Sequence, residues 1–311
     1  MKKRYKFLLG AAAVTGAVAS ANYLIFKLSN MKAEKTTSSI YKWRYGAVRY
    51  HVTGSGDPVV LIHNTFIGAS SYEWEKLVFE LSQNYKVYTL DLLGFGESSK
   101  PNLTYSSYLY ATLINDFIED VVGRRAYAIA SNDSCGYLVS ASSISPETFR
   151  KIMLISPSVG ENKNPLKVGE PDVRKIINFP IFGTLLYNLM ASKYGIKQFL
   201  NGEFCDKKFV TKEMIEKHHK CAHHEGSSVK TAIASLMAGD FDISLERQLG
   251  SAQTPIHVAW GTENVINPID NFENIKEAND SIELSKIEDS KSFPHIEKAE
   301  EFGRICKDFF V

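Results

Sequence analysis

The feature that most constrains the fold is a regular alternation of short apolar runs with helical segments. The runs read PVVLIH from Pro58, YKVYTLD from Tyr85, AYAIAS from Ala126 and KIMLISP from Lys151. Runs of this length that are nearly all apolar are typical of strands covered on both faces. The segments between them have helical spacing, with apolar residues on one face at Trp74, Leu77, Val78 and Leu81. This alternation predicts an α/β fold with a mostly parallel sheet and helices on both of its faces.

The alternation stops at about residues 159–250, where only helical patterns occur, in LLYNLMASKYGIKQFL, TKEMIEKHHKCAHH and VKTAIASLMAG. Strands resume with PIHVAWG and SIELSKIE, and an amphipathic helix from Ile296 to Phe310 closes the chain. A helical block inserted between two halves of a parallel sheet is expected over the carboxyl edge of the strands, where ligands bind. We therefore predict an N-terminal anchor and linker at 1–39, a first core half at 40–158, a helical cap insert at 159–250 and a second core half at 251–311.

The N-terminus carries an uncharged run from Phe7 to Phe26, preceded by Lys2, Lys3, Arg4 and Lys6. Twenty helical residues at roughly 1.5 Å each span about 30 Å, the thickness of a bilayer's hydrocarbon core. The run predicts a single-pass transmembrane helix that holds the protein at a membrane. The alternative is a secretory signal, since Ala19-Ser20-Ala21 resembles a cleavage site. Three lysines after the run, Lys27, Lys32 and Lys35, leave the orientation open.

Charge and cysteine spacing exclude several classes of protein. The chain has 36 basic and 35 acidic residues, so no nucleic-acid partner is expected. Its four cysteines are far apart and form no disulfide framework. The stretch His218 to Glu225, HHKCAHHE, places His219 and His223 on one helical face at a spacing that metal ligands use. No third ligand is indicated and an exposed helix end explains the cluster, so we predict no metal and no cofactor.

Four local phrases then point to one family. LIHNTFIGASSYEW stands in the place of an oxyanion loop, DLLGFGESSKP follows the fourth strand, VAWGTENVINP stands at an acid loop and SFPHIEKAEEF at a histidine loop. In this order they resemble the α/β-hydrolase superfamily, from about Tyr45 to Phe310, with the helical insert in the place of that family's cap. The resemblance implies a nucleophile, an acid and a histidine, in this order along the chain, with amide donors for an oxyanion.

At the nucleophile's turn, the family's G-x-S-x-G is replaced by Asn132-Asp133-Ser134-Cys135-Gly136. One interpretation makes Ser134 the nucleophile and the N–H of Cys135 an oxyanion donor. A second, counting back from Pro146, places Asn132 at the nucleophile's position. A third makes Asp133 the nucleophile, as in haloalkane dehalogenases. Ser134 could also only cap the following helix.

The other places of the mechanism also differ from the family pattern. The acid's place holds Asn264, with Glu263 or Asp270 as substitutes, and the histidine's place holds Ser292, with His295 three residues later. Asn64 stands in the oxyanion loop where glycine is common. We therefore predict a membrane-tethered ester-type hydrolase of a small substrate, weakly active through Ser134, His295 and Glu263, with Asn64 and Cys135 at the oxyanion. The alternative is a non-catalytic protein that binds a small apolar ligand or a protein partner under the cap. The oligomeric state is open.

Overall fold

Eight strands form a single sheet in the computed structural model, which describes residues 2–30, 38–160 and 166–311. The sheet order is β1-β2-β4-β3-β5-β6-β7-β8, with only the β1–β2 and β2–β4 pairs antiparallel. The predicted mostly parallel sheet is confirmed. The strands are β1 Ser39–Trp43, β2 Gly46–Thr53, β3 Asp57–Ile62, β4 Tyr85–Leu90, β5 Ala126–Ser131, β6 Phe149–Ile155, β7 Ile256–Gly261 and β8 Glu283–Ile287.

Thirteen α-helices lie in the described residues. They are α1 Lys2–Asn30, α2 Glu75–Leu81, α3 Ser107–Phe117, α4 Ser134–Ile144, α5 Pro171–Asn178, α6 Phe182–Met190, α7 Lys193–Glu203, α8 Lys212–Cys221, α9 Lys230–Met237, α10 Leu245–Leu249, α11 Phe272–Ala278, α12 Pro294–Glu297 and α13 Ala299–Phe310.

Two hydrophobic cores cover the two faces of the sheet. In β3, Val59 and Leu61 belong to the core that contains residues of α2 and α13. Val60 and Ile62 belong to the core that contains residues of α3 and α4. Successive strand residues point to opposite faces, so a strand covered on both sides must be apolar at every position.

Between β6 and β7 the chain forms helices α5 to α10, and the described residues of this helical insert contain no strand. The helical pattern from Leu185 to Leu200 is divided in the structure between α6 and α7. The break arises at Ser192, whose hydroxyl accepts a hydrogen bond from the N–H of Gly195 at 3.1 Å and begins α7 as an N-cap.

The N-terminal run forms helix α1, which packs on the helical insert. Asn22 donates to the carbonyl of Ile181 at 2.9 Å and accepts from the amide of Asn188 at 2.9 Å. The ring of Phe26 lies 5.3 Å from that of His223. In the part of the chain that the structure describes, no helix combines the length and the apolarity that crossing a bilayer requires. The predicted transmembrane span is therefore not supported.

The linker predicted at the end of the anchor segment falls mostly on residues 31–37, which lie outside the described residues. At the end of the linker, Ser39 is already the first residue of β1. This strand pairs with β2 at the edge of the sheet, and the sequence pattern did not indicate it.

Candidate active site

The turn between β5 and α4 has its apex at Asn132. This residue has φ of 48°, in the left-handed region that asparagine tolerates better than most residues. Its N–H donates to the carbonyl of Ile155 on β6 at 2.8 Å, and its own carbonyl accepts from the N–H of Cys135 at 3.2 Å. Of the three residues that the sequence left open, the structure thus places Asn132 at the strained position between strand and helix.

Ser134 lies in the first turn of α4 and is fully buried. Its hydroxyl donates to the carbonyl of His63 at 2.6 Å, which ties α4 to the loop after β3. The N–H of Cys135 is already used within the turn. Both groups are thus hydrogen-bonded within the chain, and neither Ser134 nor Cys135 lies at the apex of the turn.

The side chain of Asn64 accepts hydrogen bonds from two backbone N–H groups beside the turn. In hydrolases of this kind the oxyanion binds the N–H after the nucleophile and an N–H from the loop after β3. With Asn132 at the apex, these donors are the N–H groups of Asp133 and Thr65. Both already donate to Oδ1 of Asn64, at 3.3 Å and 2.8 Å. The sequence indicated a narrowed loop at Asn64, but only the structure shows where its carboxamide points.

The positions where the family has its histidine and its acid hold the buried residues Ser292 and Asn264. The carbonyl of Ser292 accepts from the amide of Asn132 at 3.2 Å. Oδ1 of Asn264 accepts from the N–H of Ile266 at 3.2 Å and of Asn267 at 3.0 Å, so Asn264 closes the acid loop on itself. The proposed substitutes, Glu263 and Asp270, are exposed.

His295 is fully buried and lies beside Glu73, with 3.1 Å between Nε2 and the carboxylate. The same carboxylate accepts from the hydroxyl of Ser131 and, at 2.9 Å, from the N–H of Asn64. Burial by itself raises the pKa of Glu73, but the adjacent imidazole of His295 and the hydroxyl of Ser131 outweigh burial and hold the pKa below its usual range. The predicted Ser134–His295–Glu263 relay is therefore not assembled. Glu73 was missed, although it precedes the tryptophan of the oxyanion-loop phrase.

A family model described as alpha/beta hydrolase fold matches residues 58–299. The chain belongs to the alpha/beta hydrolase fold family. This confirms the resemblance drawn from the four loop phrases, and the chain is homologous to hydrolases. A 2-hydroxy-6-oxo-6-(2'-aminophenyl)hexa-2,4-dienoic acid hydrolase of Metapseudomonas resinovorans is 30% identical over 132 residues, 42% of this chain and 44% of that protein. The uncharacterised hydrolase YugF of Bacillus subtilis (strain 168) is 24% identical over 71% of this chain and 78% of its own length.

Solved structures show the same hydrolase fold. A serine hydrolase involved in carbazole degradation superposes with a TM-score of 0.71 at 17% identity, covering 88% of this chain and 98% of its own. A bacterial membrane phospholipase A superposes with a TM-score of 0.70 at 19% identity, covering 99% of this chain and 98% of its own. At these identities the likeness establishes the fold alone.

Glu203, the last residue of α7, connects the helical insert to Ser292, the residue at the position of the family's catalytic histidine. It is buried, and its carbonyl accepts from the N–H of Ser292 at 3.1 Å. Burial, together with the charge of Asp133, raises the pKa of Glu203 to about 7, although a hydrogen bond from Ser292 acts in the opposite direction. Asp133 itself is paired with Lys167 at 2.9 Å. No sequence signal marked Glu203, because it stands in an ordinary helical pattern.

Protonation of Glu203 should make stability depend on pH. The folded-state pKa is about 7 against an ordinary value of 4.5, so the folded state keeps a proton that the unfolded state loses as pH rises. The free energy of unfolding should therefore fall between about pH 5 and pH 7, by up to roughly 3 kcal/mol from this group. Urea denaturation of wild type and Glu203→Gln across this range measures the effect, and the variant should lack this part of the decline.

The matched control is Glu213→Gln, which alters an exposed carboxylate of the same insert and should follow the wild-type curve. If the free energy of unfolding depended on pH in the same way for wild type and Glu203→Gln, the pKa of Glu203 would not be raised in the folded protein, and the prediction would be wrong.

Two histidines of the stretch His218 to Glu225 have hydrogen-bond partners within the chain. His218 is buried and its Nδ1 donates to the carbonyl of Gly68 at 2.8 Å, while Nδ1 of His223 donates to the carbonyl of His219 at 2.8 Å. Among the described residues, no three potential ligands converge in a way that could hold a metal ion.

Proposed function

We propose that this protein binds a small apolar molecule beneath its helical insert and does not hydrolyse it by a serine mechanism. The observation that carries the proposal is the pair of hydrogen bonds from Thr65 and Asp133 to the side chain of Asn64. Acyl transfer depends on donors that are free to stabilise the developing oxyanion, and these donors are held by the chain itself.

The residues at the positions of the family's nucleophile, histidine and acid support the same conclusion. The apex residue Asn132 is a carboxamide, which is not among the nucleophiles that enzymes use for covalent catalysis. Ser292 provides no imidazole to remove a proton, and Asn264 provides no carboxylate to stabilise imidazolium. The alternative drawn from the sequence, a non-catalytic protein of this fold, thus replaces the weak hydrolase as the favoured function.

A cavity of about 370 Å³ lies between the loop after β3 and the helical insert. Ligand sites are typically apolar clefts of about 300–1,000 Å³ with a few polar groups. This cavity suits an aromatic molecule with one polar group, and the M. resinovorans relative is named for an acid that carries an aminophenyl ring. Its lining combines apolar residues with one polar side chain, Gln198, the full set being Ile67, Leu166, Met190, Gly195, Ile196, Gln198 and Phe199.

Labelling tests the absence of a serine mechanism. A fluorophosphonate probe requires an activated serine, so wild-type protein should not be labelled above the level of heat-denatured protein. Ser134→Ala should behave as wild type does, because the Ser134 hydroxyl is committed to the carbonyl of His63. Rapid labelling that disappears in Ser134→Ala would contradict the proposal and would favour a serine hydrolase that uses Ser134.

Binding of N-phenyl-1-naphthylamine, an uncharged aromatic probe, tests the cavity. Met190→Trp should fill the cavity from its wall and weaken binding of the probe about tenfold, as expected when a bulky ring excludes a small ligand. Leu189→Trp places the same ring one residue away on an exposed position and is the matched control. Equal affinities in the two variants would assign the probe to another site.

A further inference from the structure

Helix α6 presents an apolar stripe to solvent. Phe182, Leu186 and Leu189 recur at helical spacing and are 46%, 40% and 62% exposed, while Tyr187 and Asn188 face the interior. No charged residue occurs from Phe179 to Met190. A surface helix ordinarily has polar residues on its solvent side. A helix whose solvent side is apolar indicates contact with an apolar environment outside this chain.

Helix α1 adds to this surface because it lies against α6. Its contact side carries Asn22, bonded to Ile181 and Asn188, and the buried Phe26. Other large apolar residues of α1, including Tyr23 and Leu24, are exposed. Ile176 near the end of α5 and Phe179 just after it are also exposed. We call the combined set the apolar face: Tyr23, Leu24, Ile176, Phe179, Phe182, Leu186 and Leu189.

The charge of the N-terminal segment identifies what covers this face. The first 33 residues contain six basic residues and no acidic residue. Anionic lipid attracts basic segments that adjoin an apolar helix. A second copy of the chain would bring the same positive charge to the contact, which favours lipid over self-association.

We propose that the apolar face docks on the surface of a bilayer that contains anionic lipid, with α6 of the insert and α1 both at the interface. Helices of this kind bury their apolar side about 5–10 Å into the headgroup and acyl boundary. The helical insert, and the apolar cavity beside α6, would then face the membrane. This inference does not depend on the proposed ligand binding.

Fluorescence quenching locates the contact. Leu189→Trp in the full-length chain is mixed with vesicles of phosphatidylcholine and one-quarter phosphatidylglycerol, with bromine on the phosphatidylcholine acyl chains. Emission from the new tryptophan should be quenched, whereas the three native tryptophans are buried. The control is Phe79→Trp, at a position on α2 that is 70% exposed and outside the apolar face, and it should not be quenched.

Vesicle sedimentation measures the contribution of α6. The variant Phe182→Gln/Leu186→Gln/Leu189→Gln changes only exposed side chains and should fold, while its binding to these vesicles should fall about tenfold or more. Phe79→Gln should bind as wild type does. Equal quenching at both tryptophan positions, or unchanged binding of the triple variant, would overturn the proposal. A lipid-independent dimer that the triple variant dissociates would assign the face to a second copy instead.

Discussion

Restoring the family's residues at the nucleophile, histidine, acid and oxyanion-loop positions should convert this protein into an esterase. In the variant Asn132→Ser/Ser292→His/Asn264→Asp/Asn64→Gly, the apex gains a nucleophile, the histidine loop gains a base, and the base gains a carboxylate partner. Glycine at position 64 also frees the N–H groups of Thr65 and Asp133. Hydrolysis of p-nitrophenyl acetate should rise about a thousandfold over wild type, as expected from restoring a relay and an oxyanion hole together.

The matched control for this experiment keeps Asn64. The triple variant Asn132→Ser/Ser292→His/Asn264→Asp has the complete relay but still has the Asn64 carboxamide on both donors. It should be about a hundredfold slower than the quadruple variant, since the loss of one oxyanion donor typically costs two to three orders of magnitude. Equal rates in the two variants would mean that the side chain of Asn64 leaves the oxyanion position readily.

Removal of Glu73 should cause the largest loss of stability. Its carboxylate is buried and serves three groups, namely His295, the hydroxyl of Ser131 and the N–H of Asn64. Glu73→Ala leaves all three without this partner, and breaking a buried pair in this way typically costs about 3–5 kcal/mol. Urea denaturation at pH 7 gives the difference directly.

A control variant and the pH dependence distinguish the loss of the Glu73 contacts from a general destabilisation of the segment around α2. Glu75→Ala removes an exposed carboxylate two residues later and should cost less than about 1 kcal/mol. Because the pKa of Glu73 is lowered in the folded state, its contribution is fully present above the ordinary glutamate range and is lost as pH falls through the folded pKa. The difference between wild type and Glu73→Ala should therefore shrink in acid, and a cost of under 1 kcal/mol at pH 7 would contradict the assigned role.

Much of the core could be predicted because its physical requirement is visible in the sequence. A strand that is covered on both faces must be apolar at every position, and β3 meets this requirement by dividing its side chains between two cores. β1 could not be found in this way. It lies at the edge of the sheet, and its burial alternates little along SIYKW, so no strong periodicity distinguishes it from a loop.

The position of the elbow could not be read from the sequence. Asn132, Asp133 and Ser134 are all small polar residues that suit a turn or a helix start, so local preference does not choose among them. The choice is made by β6, where the carbonyl of Ile155 accepts from the N–H of Asn132 and continues the pairing of Ser131 with Ile155. This contact places Asn132 at the apex and Ser134 at the start of the buried helix α4.

The sequence by itself determined the fold class and the residue types available at the four loops of the site, including the missing histidine and acid at Ser292 and Asn264. Apolar periodicity and loop order are local properties, and they carry this information without the folded chain. The tertiary structure alone decided that Asn64 accepts from the N–H groups of Thr65 and Asp133, that His295 lies against Glu73 and that Glu203 reaches Ser292. Each of these depends on the direction of a side chain between segments far apart in the chain, which packing of the whole fold establishes.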